Sequence, residues 1–504
     1  MVDLPTKARA VIIGGGVSGC SVAYHLAKLG WDEVVLLERR QLSCGTTWHA
    51  AGLIGQLRPS QNLTKLTRYS ADLYGALEAE TGVATGMRRN GSMTVALNAG
   101  RLEEIRRQAS LARALDVDVQ ELSPAECKDM YPLLETKDVV GGAFIPGDGQ
   151  CDPANIAMAL AKGARNNGAK VIEGIRVTEV HHEDGRVTGV SWARGDGEEQ
   201  ETGRIDTNAV VNCAGMWARD LAASVGVSLP LHACEHFYIV TEGIDGLGRL
   251  PSLRVPDECA YYKEDAGKLL LGAFEPRAKP WGMTGIPHDF CFDELPQDFE
   301  HFEPILEQAV TRVPVLAEAG IHTFFNGPES FTPDDQCYIG EAPGLDGFWV
   351  AAGYNSIGIN MSGGTGYALA QWMDTGHAPY TLWDIDIRRA QPFQKNRKYL
   401  HDRVTETLGL LFADHFPYRQ PETARGVRRS PLHEHLKAQG AVFGETSGWE
   451  RADWFGTPGG NVTDTYGWDR QPWFDRRAAE HAAIRNGVGL YDMSSFGKIR
   501  VEGA

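Results

Sequence analysis

The run Gly45-Thr46-Thr47-Trp48-His49-Ala50-Ala51-Gly52-Leu53 places an imidazole a few residues beyond Glu38. Neutral imidazole is a nucleophile and a hydrogen-bond partner. Ahead of it, Val11-Ile12-Ile13-Gly14-Gly15-Gly16-Val17-Ser18-Gly19 carries the spacing of a dinucleotide-binding turn. Gly14 permits the tight turn, Gly16 lets backbone approach a pyrophosphate, and Gly19 lets helix and strand pack closely. Glu38 then offers a carboxylate for both ribose hydroxyls, which disfavours a 2′-phosphate. A histidine so soon after that acid is placed to touch the isoalloxazine of a flavin, or to be bonded to it.

Local elements must present these residues. Ala10 to Ile13 reads as a short buried strand, and Val17 to Leu29 has apolar spacing of a helix through Val22, Ala23, Leu26 and Leu29. Helix-start amides and the helix dipole favour phosphate there. A second strand, Glu33 to Leu37, delivers Glu38. The turn alone does not separate NAD from FAD. Further along, a helix is expected over Asp152 to Asn167, strands over Lys170 to Val180 and Val187 to Ala193, and a buried strand from Ala209 ending in the Gly215 turn. Phe348 to Gly353 repeats that strand-to-glycine pattern, and a helix follows through Trp372. One cofactor domain assembled from three separated pieces suits FAD, which is long and needs its ring end covered.

The expected fold is therefore α/β. A discontinuous Rossmann-like FAD-binding domain (about 8–82, 147–228 and 326–386) joins an antiparallel-sheet substrate domain (about 83–146 and 229–325) within residues 1–386. Strand-like runs at Ser92 to Leu97, His236 to Thr241, Ala260 to Lys263 and Lys268 to Phe274 should roof the flavin, where a substrate would sit. Residues 387–474 read as a loop-rich central segment. A helix from about Arg476 to Arg485 and a strand at Lys498 to Val501 open a further domain over 475–504, whose body is missing.

Composition narrows the partners. A net charge of -17 argues against nucleic acid and against a polybasic membrane anchor. No apolar stretch approaches the roughly 20 residues that span a bilayer. Met1 to Arg9 is too short and polar for a signal peptide, so a reducing, cytoplasmic setting is the default expectation. The nine scattered cysteines contain no C-x-x-C, which points away from a disulfide framework or a zinc site. His181-His182 reads as part of a polar turn, solvated rather than metal-binding.

Assembled, these residues make the chain resemble the dimethylglycine and sarcosine dehydrogenase family over essentially its whole length. The motifs are the His49 run, Leu57-Arg58-Pro59-Ser60, Asp148-Gly149 with Asp152-Pro153, and Gly327-Pro328-Glu329-Ser330-Phe331-Thr332-Pro333-Asp334. Arg429-Ser430-Pro431-Leu432-His433 and Gly448-Trp449-Glu450-Arg451 are similar to the family's central segment, and Tyr491 to Lys498 to the opening of its T-protein-like half. The resemblance implies FAD held covalently through His49, with Thr46, Thr47, Gly52 and Leu53 around it. It also implies cofactor contacts from Val177, Gly215, Gly353, Asn355, Ser356 and Gly358. His236 and Tyr261 match residues lining the family's substrate site, although alone both fit ordinary half-buried strand positions. Trp281 matches a pocket aromatic and equally suits a core or surface position. Arg58 is a candidate for the substrate carboxylate, or it anchors a turn.

The implied reaction is oxidative N-demethylation of a small N-methylated amino acid, sarcosine or dimethylglycine, with electrons passed to an electron-transfer flavoprotein. Tetrahydrofolate would enter only with the missing C-terminal domain. The related monomeric sarcosine oxidases attach flavin through a cysteine where this chain has Glu329, and use a lysine where it has Asn360. The absence of that lysine favours a dehydrogenase over an oxidase. The alternatives are an oxidase of another secondary amine, such as 4-methylaminobutanoate, and a catalytically silent regulatory relative.

Overall fold

The computed structural model describes residues 4–195, 200–415, 419–460 and 464–503. Two compact units divide the chain, Met1–Ala413 and Asp414–Ala504. Among the described residues no helix is long and apolar enough to cross a membrane.

Alternation within the first strands explains the layering of the first unit. Ala10, Ile12, Val34 and Leu36 face one core, whereas Val11, Ile13, Val35 and Leu37 face another. Strands buried on both faces read as continuous apolar runs, as these do. They lie in a six-stranded sheet ordered Tyr338–Glu341, Phe348–Ala352, Val210–Asn212, Ala10–Ile13, Val34–Glu38 and Lys170–Glu173. All neighbours are parallel except the Tyr338–Glu341 edge strand. Helices Val17–Lys28, Gln61–Thr81, Pro153–Asn166 and Gly358–Thr375 cover the first face. A three-stranded antiparallel sheet and the helix Ala218–Ser224 cover the second.

A nine-stranded, mostly antiparallel sheet forms the rest of the unit. Its back carries Phe237, Ile239, Tyr262, Leu269 and Leu271 against Phe302 and Ile305 of helix Phe299–Arg312. Arg312, almost fully buried, fastens that helix through Asp138 at 2.7 and 2.9 Å and Glu258 at 2.6 Å. Its front carries Cys234, Tyr261, Leu270 and Phe274.

Several expectations need correction. The run from Lys170 to Val180 is two strands, because Gly174 (φ +74°) turns the chain from the parallel sheet into the three-stranded one. His181 and His182 lie in strand Ile175–Glu183, and the turn itself is Asp184-Gly185, both at positive φ. His181 Nε2 lies 2.6 Å from Ser191 Oγ. Strand Ile321–Phe331 continues in the roof sheet past residue 326. Residues read as the start of a central segment belong to the first unit: Val404 and Leu408 of helix Arg397–Leu410 pack beside Cys234 and Phe331.

In the second unit, helix His433–Ala438 and the hairpin Ala441–Thr446 with Trp449–Phe455 interrupt the expected loops. Glu450 ties the hairpin to Arg425 at 2.6 Å. Helix Phe474–Asn486 follows. No strand forms over Lys498 to Val501: Ile499 and Val501 are about nine-tenths exposed, with no neighbouring strand among the described residues to satisfy their backbone.

Removing Arg312 would leave the half-buried carboxylate of Glu258 without its partner. Arg312→Ala is expected to cost on the order of 3–5 kcal/mol in equilibrium unfolding. A loss under 1 kcal/mol would refute this role. His25 gives a pH signature. Its Nδ1 lies 2.7 Å from the Ser21 carbonyl, which requires N–H there, and its Nε2 accepts from the Tyr69 hydroxyl at 3.0 Å. Burial pushes its pKa down from 6.5 to about 4. The unfolded chain therefore binds this proton first, and the contribution is complete above pH 6.5 and lost as pH falls toward 4. Unfolding measured across that window is expected to show a shallower pH slope for His25→Gln than for the native chain.

Candidate active site

Four loops leave the carboxyl ends of adjacent parallel strands, the edge where open α/β sheets bind ligands. They are Gly14 to Gly19, the stretch from Glu38 to His49, Cys213 to Gly215, and Gly353 to Gly358. The first is tight. Gly14 has φ +110°, and a Cβ there would lie 2.4 Å from the Cys213 carbonyl oxygen. A Cβ on Gly19 would meet the Gly14 oxygen at 2.0 Å. Glu38 accepts from Gly15 N–H at 2.7 Å and Arg40 N–H at 2.9 Å, while burial pushes its carboxyl upward. Thr47 Oγ1 accepts from Val17 N–H at 3.1 Å, closing the start of the nucleotide helix, and Thr46 stands beside it.

The other expected cofactor residues take separate places. Gly52 (φ +73°) turns into Leu53, which pairs with Gln150. Asn355 and Ser356 adopt positive φ, and Asn355 is locked by Thr332 N–H at 2.7 Å and the Gly353 carbonyl at 2.8 Å. Gly358 opens helix Gly358–Thr375. Gly215 (φ +54°) ends the third loop. Val177 pairs with Trp192 in the three-stranded sheet, half-buried against the second core.

His49 is buried, and its Nε2 has no hydrogen-bond partner. Burial first, then the neighbouring His236, pushes its pKa down to about 3, so the imidazole is neutral. Its ring lies 4.8 Å from that of Phe325, which stacks on Tyr238 at 4.9 Å. Register explains the meeting: His236 pairs with Gly327, Tyr238 with Phe325, and Cys234 with Glu329, so these side chains share one face. Gly327 has to be small there, since a Cβ would lie 3.1 Å from His49 Cε1. His236 and Tyr261 both pack on Phe274, at 5.1 and 5.5 Å between rings. Gly272 makes room for Tyr261, whose hydroxyl would be 2.2 Å from a Cβ at that position.

Acidic groups flank His236. Glu275 Oε2 lies 3.9 Å from its Nδ1, and Glu275 Oε1 lies 3.7 Å from His301 Nε2. Neither imidazole nitrogen of His236 and neither oxygen of Glu275 has a hydrogen bond. Glu329, raised by burial and restrained by His236, stands on the same face and bonds Ser356. Burial also raises the Tyr261 phenol, which stays un-ionised.

The structure thus brings His49, His236 and Tyr261 together. Trp281 is not part of that group. It pairs with Ala233, one position off the His236 face, and packs on Phe290 at 5.3 Å beside Met216 and Ile286. Arg58 is also apart; burial, then the charge of Arg254, pushes its pKa down to about 10 against the opposing charges of Asp335 and Asp148. Sequence reading missed Phe325, Tyr238, Glu275 and the glycines opposite them. Glu329 entered it only as the place of a missing cysteine.

A pyrophosphate fits the glycine cradle, and the orphaned His49 nitrogen fits the ring end of a flavin. Family comparison agrees. Residues 9–372 match the FAD dependent oxidoreductase family, 375–430 the FAD dependent oxidoreductase central domain, and 432–504 the GCVT N-terminal domain. The chain is 41% identical to 4-methylaminobutanoate oxidase (formaldehyde-forming) of Paenarthrobacter nicotinovorans, over 99% of this chain and 60% of that one. It is 39% identical to human mitochondrial sarcosine dehydrogenase, over 99% of this chain and 57% of that one. The chain thus spans less than two thirds of the length of these relatives. Crystalline L-proline dehydrogenase from P. horikoshii shares the fold, with a TM-score of 0.67 at 24% identity, covering 77% of this chain and 98% of that one. The chain belongs to the FAD-dependent oxidoreductases. Within them it falls in the family of the sarcosine and dimethylglycine dehydrogenases and 4-methylaminobutanoate oxidase.

Gly272→Ala is expected to displace the Tyr261 ring. The FAD-loaded variant should lose at least tenfold in its rate of flavin reduction while its melting temperature moves by only a few degrees. An unchanged rate would show that the Tyr261 position is immaterial.

Proposed function

We propose that this chain oxidises the N-methyl group of a small methylated amino acid, with FAD tethered through His49. Sarcosine and dimethylglycine are the substrates toward which its motifs lean. The observation carrying this reading is the neutral imidazole of His49, its Nε2 unpartnered among the described residues, facing His236 across Gly327. Bound flavin supplies a hydride acceptor. The protein must supply the amine as free base, because only the lone pair can drive hydride loss from the adjacent methyl carbon. Tyr261 stays a phenol, so the ammonium proton falls to His236, and Glu275 and Glu329 stabilise the imidazolium that forms. Phe274, Phe325 and Tyr238 keep water from the site.

A protein acceptor, an electron-transfer flavoprotein, completes the turnover. One-carbon transfer to tetrahydrofolate belongs to the region matching the GCVT domain and its continuation in longer relatives. Oxidation of a longer amine, with dioxygen as acceptor, is the second reading, favoured by the 41% identity to the 4-methylaminobutanoate oxidase.

Acid precipitation of the holoprotein should leave flavin in the pellet, and His49→Ala should release it to the supernatant. Free flavin from the native protein would refute the tether. In anaerobic mixing with sarcosine, dimethylglycine or 4-methylaminobutanoate, flavin bleaching is expected, and His236→Gln should slow it by about 10²–10⁴-fold. No bleaching with any of the three would overturn the reading.

A further inference from the structure

The front of the roof sheet continues beyond the residues described above. Phe325, Tyr238, Gly272, Tyr261, Arg254 and Thr94 lie opposite one another in successive strands. Directly paired residues project from the same face. Arg254 therefore stands on the Tyr261 face, one strand farther from His236, at a spacing of about 4.8 Å between strands.

Its guanidinium is aimed toward the segment that follows His49. A Cβ on Gly55 would lie 3.4 Å from Arg254 Nη2 and 3.8 Å from Nη1. Gly55 N–H in turn donates to Asn360 Oδ1 at 3.1 Å, at the opening of helix Gly358–Thr375. Arg254 thus stands beside the chain that leaves the His49 loop, at a point tied to helix Gly358–Thr375.

Among the described residues, no hydrogen bond and no ion pair within 4 Å engages this guanidinium. Asp148 is the nearby counter-charge, although its oxygens are bonded elsewhere. They accept from Ser92 Oγ at 2.6 Å and from Gln56 N–H at 2.8 Å. Arg58 adds a second positive charge felt at Arg254, with Asp335 as its own counter-charge. The fork of donors on Arg254, not hydrogen-bonded among the described residues, matches an anion of planar, bidentate shape.

Arg254 also lines a small cleft of about 90 Å³, together with Thr94 and Asp148. Leu57, Ile105, Val119 and Ile145 give it an apolar wall suited to methylenes.

We propose that Arg254 receives the carboxylate of the amine substrate and so selects for methylamino acids that carry methylenes between nitrogen and carboxylate. In a methylated glycine only two bonds separate those groups, whereas Arg254 stands a full strand beyond Tyr261. The inference rests on the second reading above, oxidation of a longer amine, and deepens it. Arg254 acts here as a specificity residue, leaving the proton to His236.

The test uses the full-length FAD-loaded chain and the Arg254→Met and Arg254→Lys variants, matched for flavin content. Flavin reduction is followed with sarcosine, 4-methylaminobutanoate and the carboxyl-free N-methylbutylamine. The native chain is expected to favour 4-methylaminobutanoate over sarcosine at least tenfold in kcat/KM. Arg254→Met should lower the 4-methylaminobutanoate to N-methylbutylamine ratio about 100-fold, mainly through KM, with Arg254→Lys between. An equal fall for both amines, an unchanged ratio, or a native preference for sarcosine would overturn the proposal. Titration with butanoate, read as a perturbed flavin spectrum, separates the two readings. Binding weakened tenfold by Arg254→Met, without bleaching by any amine, would uphold Arg254 and sink amine oxidation. Bleaching with a ratio and butanoate affinity indifferent to Arg254 would sink this proposal alone.

Discussion

His49 Nε2, both ring nitrogens of His236 and both carboxylate oxygens of Glu275 are buried polar atoms with no hydrogen-bond partner among the described residues. Each such atom costs about 1–3 kcal/mol relative to water. A chain keeps such groups dry only if the surrounding scaffold is rigid enough to forbid their escape, and much of the first unit serves that end. The back of the roof sheet is packed against a helix fastened by the buried Arg312 cluster, so its front cannot bow outward. On the opposite side, the His49 loop is fixed by Thr47 and by the turn at Gly52.

Glycine placement is the complementary half of that constraint. Gly327 and Gly272 lie within strands, where they weaken the sheet. Both are on the front face, and each leaves the volume that an aromatic or imidazole ring occupies. The result is a flat aromatic floor of Phe325 and Tyr238, with His236 and Tyr261 standing beside it. Polar groups are thus concentrated where the sheet gives up its own packing.

The nucleotide end of the fold was open to sequence reading because its signals are local. Gly14, Gly16 and Gly19 do their work within one turn, and Glu38 follows at the end of the next strand. His49 stood out for the same reason. The substrate face was harder. Whether a residue such as Glu275, Phe325 or Arg254 faces the site depends on the pairing register of strands distant in sequence, and an error of one position inverts every side chain. Trp281 illustrates this, since its pairing with Ala233 sets it off the His236 face. The break at Gly174 went unseen because both halves are good strand sequence and only tertiary pairing divides them. Lys498 to Val501 has strand composition too, yet nothing adjacent completes its ladder.

The bond from Val17 to Thr47 links two events usually considered apart. The segment bearing the imidazole is also the lid on the first amide of the nucleotide helix. Swinging that segment aside to admit an adenine-bearing molecule would strip the helix of its closing acceptor. Any opening of the nucleotide end from this side therefore leaves a buried amide without its acceptor, at a cost of about 1–3 kcal/mol.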